Sequence, residues 1–330
     1  MKPSMILPTA KSKYFCTGGV ILLTVLAISS LFVGKYPLSL GRLFTGDAFQ
    51  RRVFLPLRLS RTVVGVIGGF TLGIAGFVFQ TVFRNPLASP DIIGVSSGAS
   101  AGAAVGILFL TSAAWVTISA FAGALLAMVL ALGLSSLDRS GKHQTIVLAG
   151  IAVHSLAQTA LMILKLTADP EQELAAIEYW LMGSLNGISV YSIGGNLLLC
   201  VCCVIGLFLL HRQIVLLSTE EGEARMMGVN VIQLRLAILF AGTLAVSSVV
   251  SLTGLISFVG LLAPHAARML TKSNKSTTML LSGLAGGCLL CAADLLARSV
   301  AATELPVSIF TSLVGAPFLV VLIIRGRRQS

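Results

Sequence analysis

The sequence predicts an all-α polytopic membrane protein, with ten transmembrane helices in a single domain over residues 1–330. Three observations carry this. The chain is 56% hydrophobic and 11% charged, where a soluble domain carries about a quarter charged residues. Its apolar residues gather into ten runs, at 15–34, 62–83, 92–110, 113–134, 145–166, 191–210, 232–252, 256–270, 277–297 and 306–324, and a membrane helix needs about 20 such residues. No polar stretch between the runs has the length of a soluble domain, about 50 residues or more.

The first run follows Lys2, Lys11 and Lys13, as in a signal peptide. No small-residue cleavage site stands near its end, so it is expected to stay as the first helix. Helix two carries Gly65, Gly69 and Gly73, with Gly68 and Gly76 beside them, and helix three carries Gly98, Gly102 and Gly106. Small residues at this spacing let helix backbones approach closely, and Gly283 and Gly287 repeat the pattern on helix nine.

Between helices two and three lies a polar break, Arg84–Gly94, with Pro86 and Pro90. Proline disfavours helix in the residue before it. The break is either an ordinary interhelical loop or irregular backbone that lines a cavity, where it is tolerated within a membrane. On helix five, His154 and Gln158 sit one turn apart. Polar residues in a span line a water-filled path or bond across helices, and both readings stand here.

The outer loop 167–187 holds Asp169, Glu171, Glu173 and Glu178, and the spacing of Leu174, Ile177 and Leu181 predicts a short surface helix. Tyr179 and Trp180 suit a membrane interface. The eighth run is short, and Pro264 is expected to end or kink it. Asp294 and Arg298 are four apart on helix nine and predict a local ion pair. Asp294 is the one acidic residue expected near a span's interior.

Ten spans put both termini on one side. With the termini cytoplasmic, the inner loops and ends take 15 of the 23 Lys and Arg residues, in line with the positive-inside rule. Six of the other eight, Lys35, Arg42, Arg51, Arg52, Arg58 and Arg61, fall in one outer loop at 35–61. The reading preferred is an outward basic patch that draws an acidic partner; anchoring to lipid headgroups is the alternative.

Several chemistries are excluded. There is no GxxxxGK[ST] phosphate loop, since Gly141-Lys142-His143 lacks both the leading Gly and the Ser/Thr. No GxSxG, HExxH or GxGxxG stands in a strand–helix setting, and no catalytic pair converges. His143, His154, His211 and His265 are scattered, and Cys288-xx-Cys291 lies mid-span without a second pair, so no metal site is suggested and the six cysteines read as small apolar residues. The chain is expected to bind no cofactor and no nucleic acid. ATP and Mg, where used, belong to a partner.

The inner loop 211–231 holds Glu221-Gly222-Glu223-Ala224-Arg225-Met226-Met227-Gly228. This is enough for a turn or two of helix, acidic at its start. It reads as a docking element for a cytosolic protein or as a solvated loop.

These motifs together resemble the FecCD-type permeases of ATP-binding-cassette importers, the family of iron–siderophore, haem and vitamin B12 permeases. The resemblance covers nearly the whole chain. Leu57-Arg58-Leu59-Ser60-Arg61-Thr62 is similar to the family's LRLPRT, with Ser60 for the usual Pro. Gln80 with Arg84-Asn85-Pro86-Leu87-Ala88-Ser89-Pro90 and Gly94 follows QxxxRNPLAxPxxLG. Gly254 through Leu261 with Pro264-His265 and Arg268 resembles GxIxFVGLxxPHxxR, with Ser257 where Gly is common. Asp294, Arg298, Glu304-Leu305-Pro306-Val307 and Gly315-Ala316-Pro317-Phe318 complete the set.

The resemblance implies the type II ABC importer permease fold in the inner membrane of a prokaryote. It implies a second permease subunit, identical or paralogous, two cytosolic ATPase subunits and an extracytoplasmic substrate-binding protein. That protein's acidic residues would meet Arg58, Arg61 and Arg298. The ATPase-coupling loop would fall on Thr219–Gly228. The inner gate would fall on Asn85 and Leu87 with the start of helix five, Leu148 to Ile151. The cargo implied is an iron(III)–siderophore or related metal chelate, with haem or cobalamin as alternatives. A secondary transporter driven by an ion gradient is the reading from another class. It would usually need a buried carboxylate, and Asp294 has Arg298 beside it.

Overall fold

The computed structural model describes residues 10–34, 54–110, 112–137, 143–188, 190–218, 230–301 and 303–327. Ten helices fall on the ten expected runs: α1 Ala10–Phe32, α2 Ser60–Val82, α3 Val95–Phe109, α4 Ala113–Ser136, α5 His143–Thr167, α7 Val190–Leu209, α9 Val231–Thr253, α10 Val259–Thr271, α11 Ser276–Ser299 and α12 Val307–Arg327. Two short helices join them, α6 Glu173–Leu181, where the outer-loop periodicity placed it, and α8 His211–Leu216. No strand occurs among the described residues. Six helices are long and apolar enough to cross a membrane by length and composition: α1, α2 with its lead-in, α4, α5, α9 and α11.

Helix α2 is the axle of the bundle. Nineteen of its 23 residues are buried, and it packs against α11, α10, α9 and α7. Its glycines explain the approach. A side chain on Gly69 or Gly73 would meet the backbone of Gly286 or Ser282 in α11. In the same way Gly98 and Gly102 on α3 lie against Gly123 and Ser119 on α4. Helices α3, α4 and α5 form a second packed group, and α9 joins the two groups by touching α2, α3 and α4. Helix α1 lies at the edge, against α11; Val20, Ile21, Leu22, Val25 and Ile28 are all exposed along it.

Two helices begin after breaks. Before α3, a single turn of 3₁₀ helix spans Pro90–Ile93 and ends at Gly94, whose φ of 80° only glycine adopts freely. Before α10, the chain leaves α9 at Gly254 (φ 70°) and starts again at Phe258, whose φ is 67°. A bulky residue in that region is a true outlier. Its ring is accommodated because α12 presents Gly315 there; any side chain on Gly315 would strike the ring.

Of the two outcomes expected at Pro264, an end or a kink, the helix does not take the first. The helix runs through it to Thr271. The missing proline N–H leaves the carbonyl of Gly260 without its usual donor, and that carbonyl lies against the backbone of Gly76 in α2. Neighbouring helices commonly relieve freed backbone groups in this way inside membranes. The cysteines are free among the described residues, and Cys200, Cys203 and Cys291 are buried, as small apolar residues would be.

Candidate functional site

Helix α5 packs on α3, α4 and the 3₁₀ turn with one side only. Leu148, Ile151, His154, Ser155 and Met162 are exposed, and Gln158 is half-buried. At about 3.6 residues per turn these six fall within about a third of the helix circumference. The expected pathway residues Leu148, Ile151, His154 and Gln158 therefore share one open strip. Among the described residues no hydrogen bond from His154 or Gln158 to another helix was found. Ser155 and Thr159 return their hydroxyls to the carbonyls of Ile151 and Ser155, one turn back, at 2.9 Å each.

At the inner end of that strip the Arg84–Gly94 break forms a braced turn. The Asn85 side-chain oxygen accepts from the Leu87 amide at 2.9 Å, and the Asn85 carbonyl accepts from the Ala88 amide at 3.0 Å. The Asn85 amide in turn donates to the Gln80 carbonyl at 3.1 Å. Arg84 takes a left-handed φ of 50° and donates Nε to the Leu217 carbonyl at 3.1 Å. Leu87 projects from the turn and is 54% exposed. Ile92 lies against Gly150 of α5, where a side chain would collide with the Ile92 carbonyl. The segment that carries Asn85 and Leu87 thus reaches α5 through Ile92 at Gly150, between Leu148 and Ile151 in the chain.

At the outer end the structure departs from a solvated basic patch. Arg58, Arg61 and Arg298 are buried, each 6–7% exposed. Asp294 sits between two of them: Arg61 Nε donates to its Oδ1 at 2.7 Å, and Arg298 Nη2 to its Oδ2 at 2.8 Å. The predicted Asp294–Arg298 pair is thus present, with Arg61 as a third member from 233 residues away. Arg61 Nη1 reaches Glu304 Oε2 at 2.7 Å. Arg298 and Arg58 also donate to carbonyls at the end of α1, Ser30 at 3.0 Å and Phe32 at 2.8 Å. Such carbonyls have no partner within their own helix. Among the described residues Asp294 and Glu304 are the carboxylates paired here with Arg61 and Arg298, and Arg61 Nη2 is buried with no partner. A cavity of about 220 Å³ adjoins the group, lined by Arg58, Arg61, Arg298 and Glu304.

The inner end of α2 has its own clamp, which sequence reading missed. Arg268 Nη1 bonds the Gln80 side-chain oxygen, and its Nε donates to Asn274 at 3.1 Å. The guanidinium lies over the Phe77 ring, 5.1 Å from its centre. Gln80 donates its Nε2 to the Leu261 carbonyl at 3.1 Å. The signal lay in the motifs that hold Gln80 and Arg268, but nothing in one sequence pairs them. On the outer loop, Lys165 of α5 pairs with Glu178 of α6 at 2.8 Å.

The loop Glu221, Gly222, Glu223, Ala224, Arg225, Met226, Met227 and Gly228 lies outside the described residues, as do Lys35, Arg42, Arg51 and Arg52 of the outer loop. Among the described residues no three His, Cys, Asp or Glu side chains gather as a metal site.

A multi-pass helical bundle with two helix breaks, an open helix face on α5, and an ionic cluster at the start of α2 is the architecture of a membrane permease. The model of the FecCD transport family matches residues 22–325. The chain is 36% identical to the hemin transport system permease protein HmuU of Yersinia pestis over 94% of this chain and 95% of that one. It is 32% identical to the molybdate import system permease protein MolB of Haemophilus influenzae, again over 94% and 95%. A solved inward-facing conformation of a metal-chelate type ABC transporter superposes with a TM-score of 0.82 at 31% identity, covering 95% of this chain and 99% of the other. The chain belongs to the FecCD transport family and is a permease of the ATP-binding-cassette importer class.

Proposed function

We propose that this permease carries a metal chelate, an iron(III)–siderophore or haem, across the inner membrane of a prokaryote. The observation that carries the reading is the open strip of α5, from Leu148 to Met162. A single chain leaves it uncovered, and a second permease subunit facing it would close a path between the two. The haem-permease relative and the metal-chelate transporter structure support the cargo class, and the molybdate relative at 32% identity shows how widely cargo varies at this similarity.

In this reading the Asn85-braced turn holds Leu87 as an apolar plug at the cytoplasmic mouth, with Leu148 and Ile151 beside it. His154 and Gln158 line the path above. ATP and Mg are bound and hydrolysed by two separate cytosolic subunits, which grip the loop Glu221–Gly228. An extracytoplasmic binding protein delivers the cargo. Its acidic side chain enters the 220 Å³ cavity beside Arg58, Arg61 and Arg298 and takes Arg61 Nη2, the buried nitrogen without a partner among the described residues.

The test is uptake into proteoliposomes that hold the permease with its ATPase subunits and are supplied with the binding protein. ATP-dependent entry of radiolabelled iron as siderophore or haem is expected. Entry without ATP, or a permease that purifies with no ATPase, overturns the reading.

A further inference from the structure

The two helix breaks meet. Gly260, at the start of α10, lies against Gly76 of α2 with Pro90 alongside. Between the breaks is a chamber of about 260 Å³, bounded by Ser89, Asp91 and Ser96 on one side and by Ser257 and Phe258 on the other. The 3₁₀ turn on one side bears on α5 through Ile92, and the Phe258 ring on the other bears on α12 at Gly315. The chamber therefore lies between α5 and α12, beside the open strip, and both Asp91 and Ser257 are exposed to it.

Asp91 belongs to the polar break Arg84–Gly94, for which a cavity-lining backbone was one of the two sequence readings, and its side chain is exposed. Its carboxylate accepts from the hydroxyls of Ser96 and, at 3.2 Å, Ser89. Among the described residues no Lys or Arg pairs with it. The contrast with Asp294 is direct, since that carboxylate is held between two arginines. A carboxylate at membrane depth without a cation is costly unless it faces water or a ligand.

We propose that this chamber is a subsite of the transport path that takes positively charged groups of the passing cargo, with Asp91 as the charge and Ser89, Ser96 and Ser257 as hydroxyl partners. Cationic groups of the cargo pass it favourably, whatever the cargo's net charge. The proposal rests on the pathway reading above.

The test uses the assembled transporter with Ser257→Cys and two methanethiosulfonate reagents, one a quaternary ammonium and one a sulfonate. Labelling at residue 257 is followed by mass spectrometry, so the native cysteines stay in place. Each rate is normalised to that reagent's rate with a free thiol in solution, and the ratio cancels accessibility and thiol ionisation, which the two share. Clefts lined by one sign of charge raise counter-ion concentration by about tenfold or more. The cationic reagent is thus expected to be favoured about tenfold, and the preference is expected to vanish with Asp91→Asn. Ser89→Cys serves the same purpose if Ser257→Cys does not assemble. A ratio unchanged by Asp91→Asn overturns the subsite and leaves the path standing. No labelling by either reagent at either position overturns the path through this chamber as well.

Discussion

The two ends of α2 are held by different chemistry. At the outer end Arg61 enters an ionic group with Asp294, Arg298 and Glu304. At the inner end Gln80 meets Arg268 through hydrogen bonds, and no carboxylate takes part. Both clamps tie α2 to the second half of the chain, across 233 residues outside and 188 inside. The difference lies in what each loses when a member is removed. An ionic group that loses its one central carboxylate leaves two buried guanidiniums facing each other. An amide–guanidinium bond that loses its amide leaves one guanidinium, with Asn274 still bonded to it and the Phe77 ring beneath.

Four expectations sharpen that comparison. The largest effect is at the outer clamp. Asp294→Ala breaks two buried pairs at once and is expected to cost about 3–5 kcal/mol, read as a large drop in the thermal midpoint of the detergent-purified permease. A midpoint equal to the parent's would show that the ionic group does not hold the fold. At the inner clamp, Gln80→Ala is expected to cost about 1.5–3 kcal/mol, the range for a hydrogen bond to a charged group. If it destabilises more than Asp294→Ala, the ranking of the two ends is reversed.

Between the clamps, Gly73→Ala places a methyl group on the Ser282 backbone. Overpacking of this kind costs about 1–3 kcal/mol, and Gly133→Ala, where nothing lies within reach of the added carbon, is the matched control. Equal midpoints for the two would mean that α2 and α11 are free to move apart. The smallest effect is at Lys165–Glu178, whose side chains are 27% and 47% exposed. Glu178→Gln is expected to change stability by no more than about 1 kcal/mol, and less in high salt. A loss as large as that of Gln80→Ala, insensitive to salt, would make α6 a third clamp.

Much of the helical frame was legible because apolar run length is a strong signal. The Leu174, Ile177, Leu181 spacing marked α6, and Asp294–Arg298 was legible because its members are four apart on one helix. What escaped the sequence was either long-range or dependent on depth. Glu304 and Arg61 are 243 residues apart, and no local pattern joins them. The three arginines were expected to face outward, since charge counting assigns a side of the membrane but not burial. Pro264 was expected to end or kink its run because its missing N–H is local, while the packing of Gly260 on Gly76 is long-range. The break that holds Asp91 was left between a loop and a cavity lining because hydropathy cannot tell a loop outside the membrane from a break that re-enters it.

The outer clamp also sets an order of events during synthesis. Arg61 emerges from the ribosome 233 residues before Asp294. At about 5–20 residues per second, α2 waits roughly 10 to 50 seconds in the bilayer before the carboxylate that will neutralise Arg61 exists. Throughout that interval Arg61 lacks both carboxylates, while the α1 carbonyls that Arg58 takes are already made. The outer ionic group of the axle helix is thus completed only when α11 arrives.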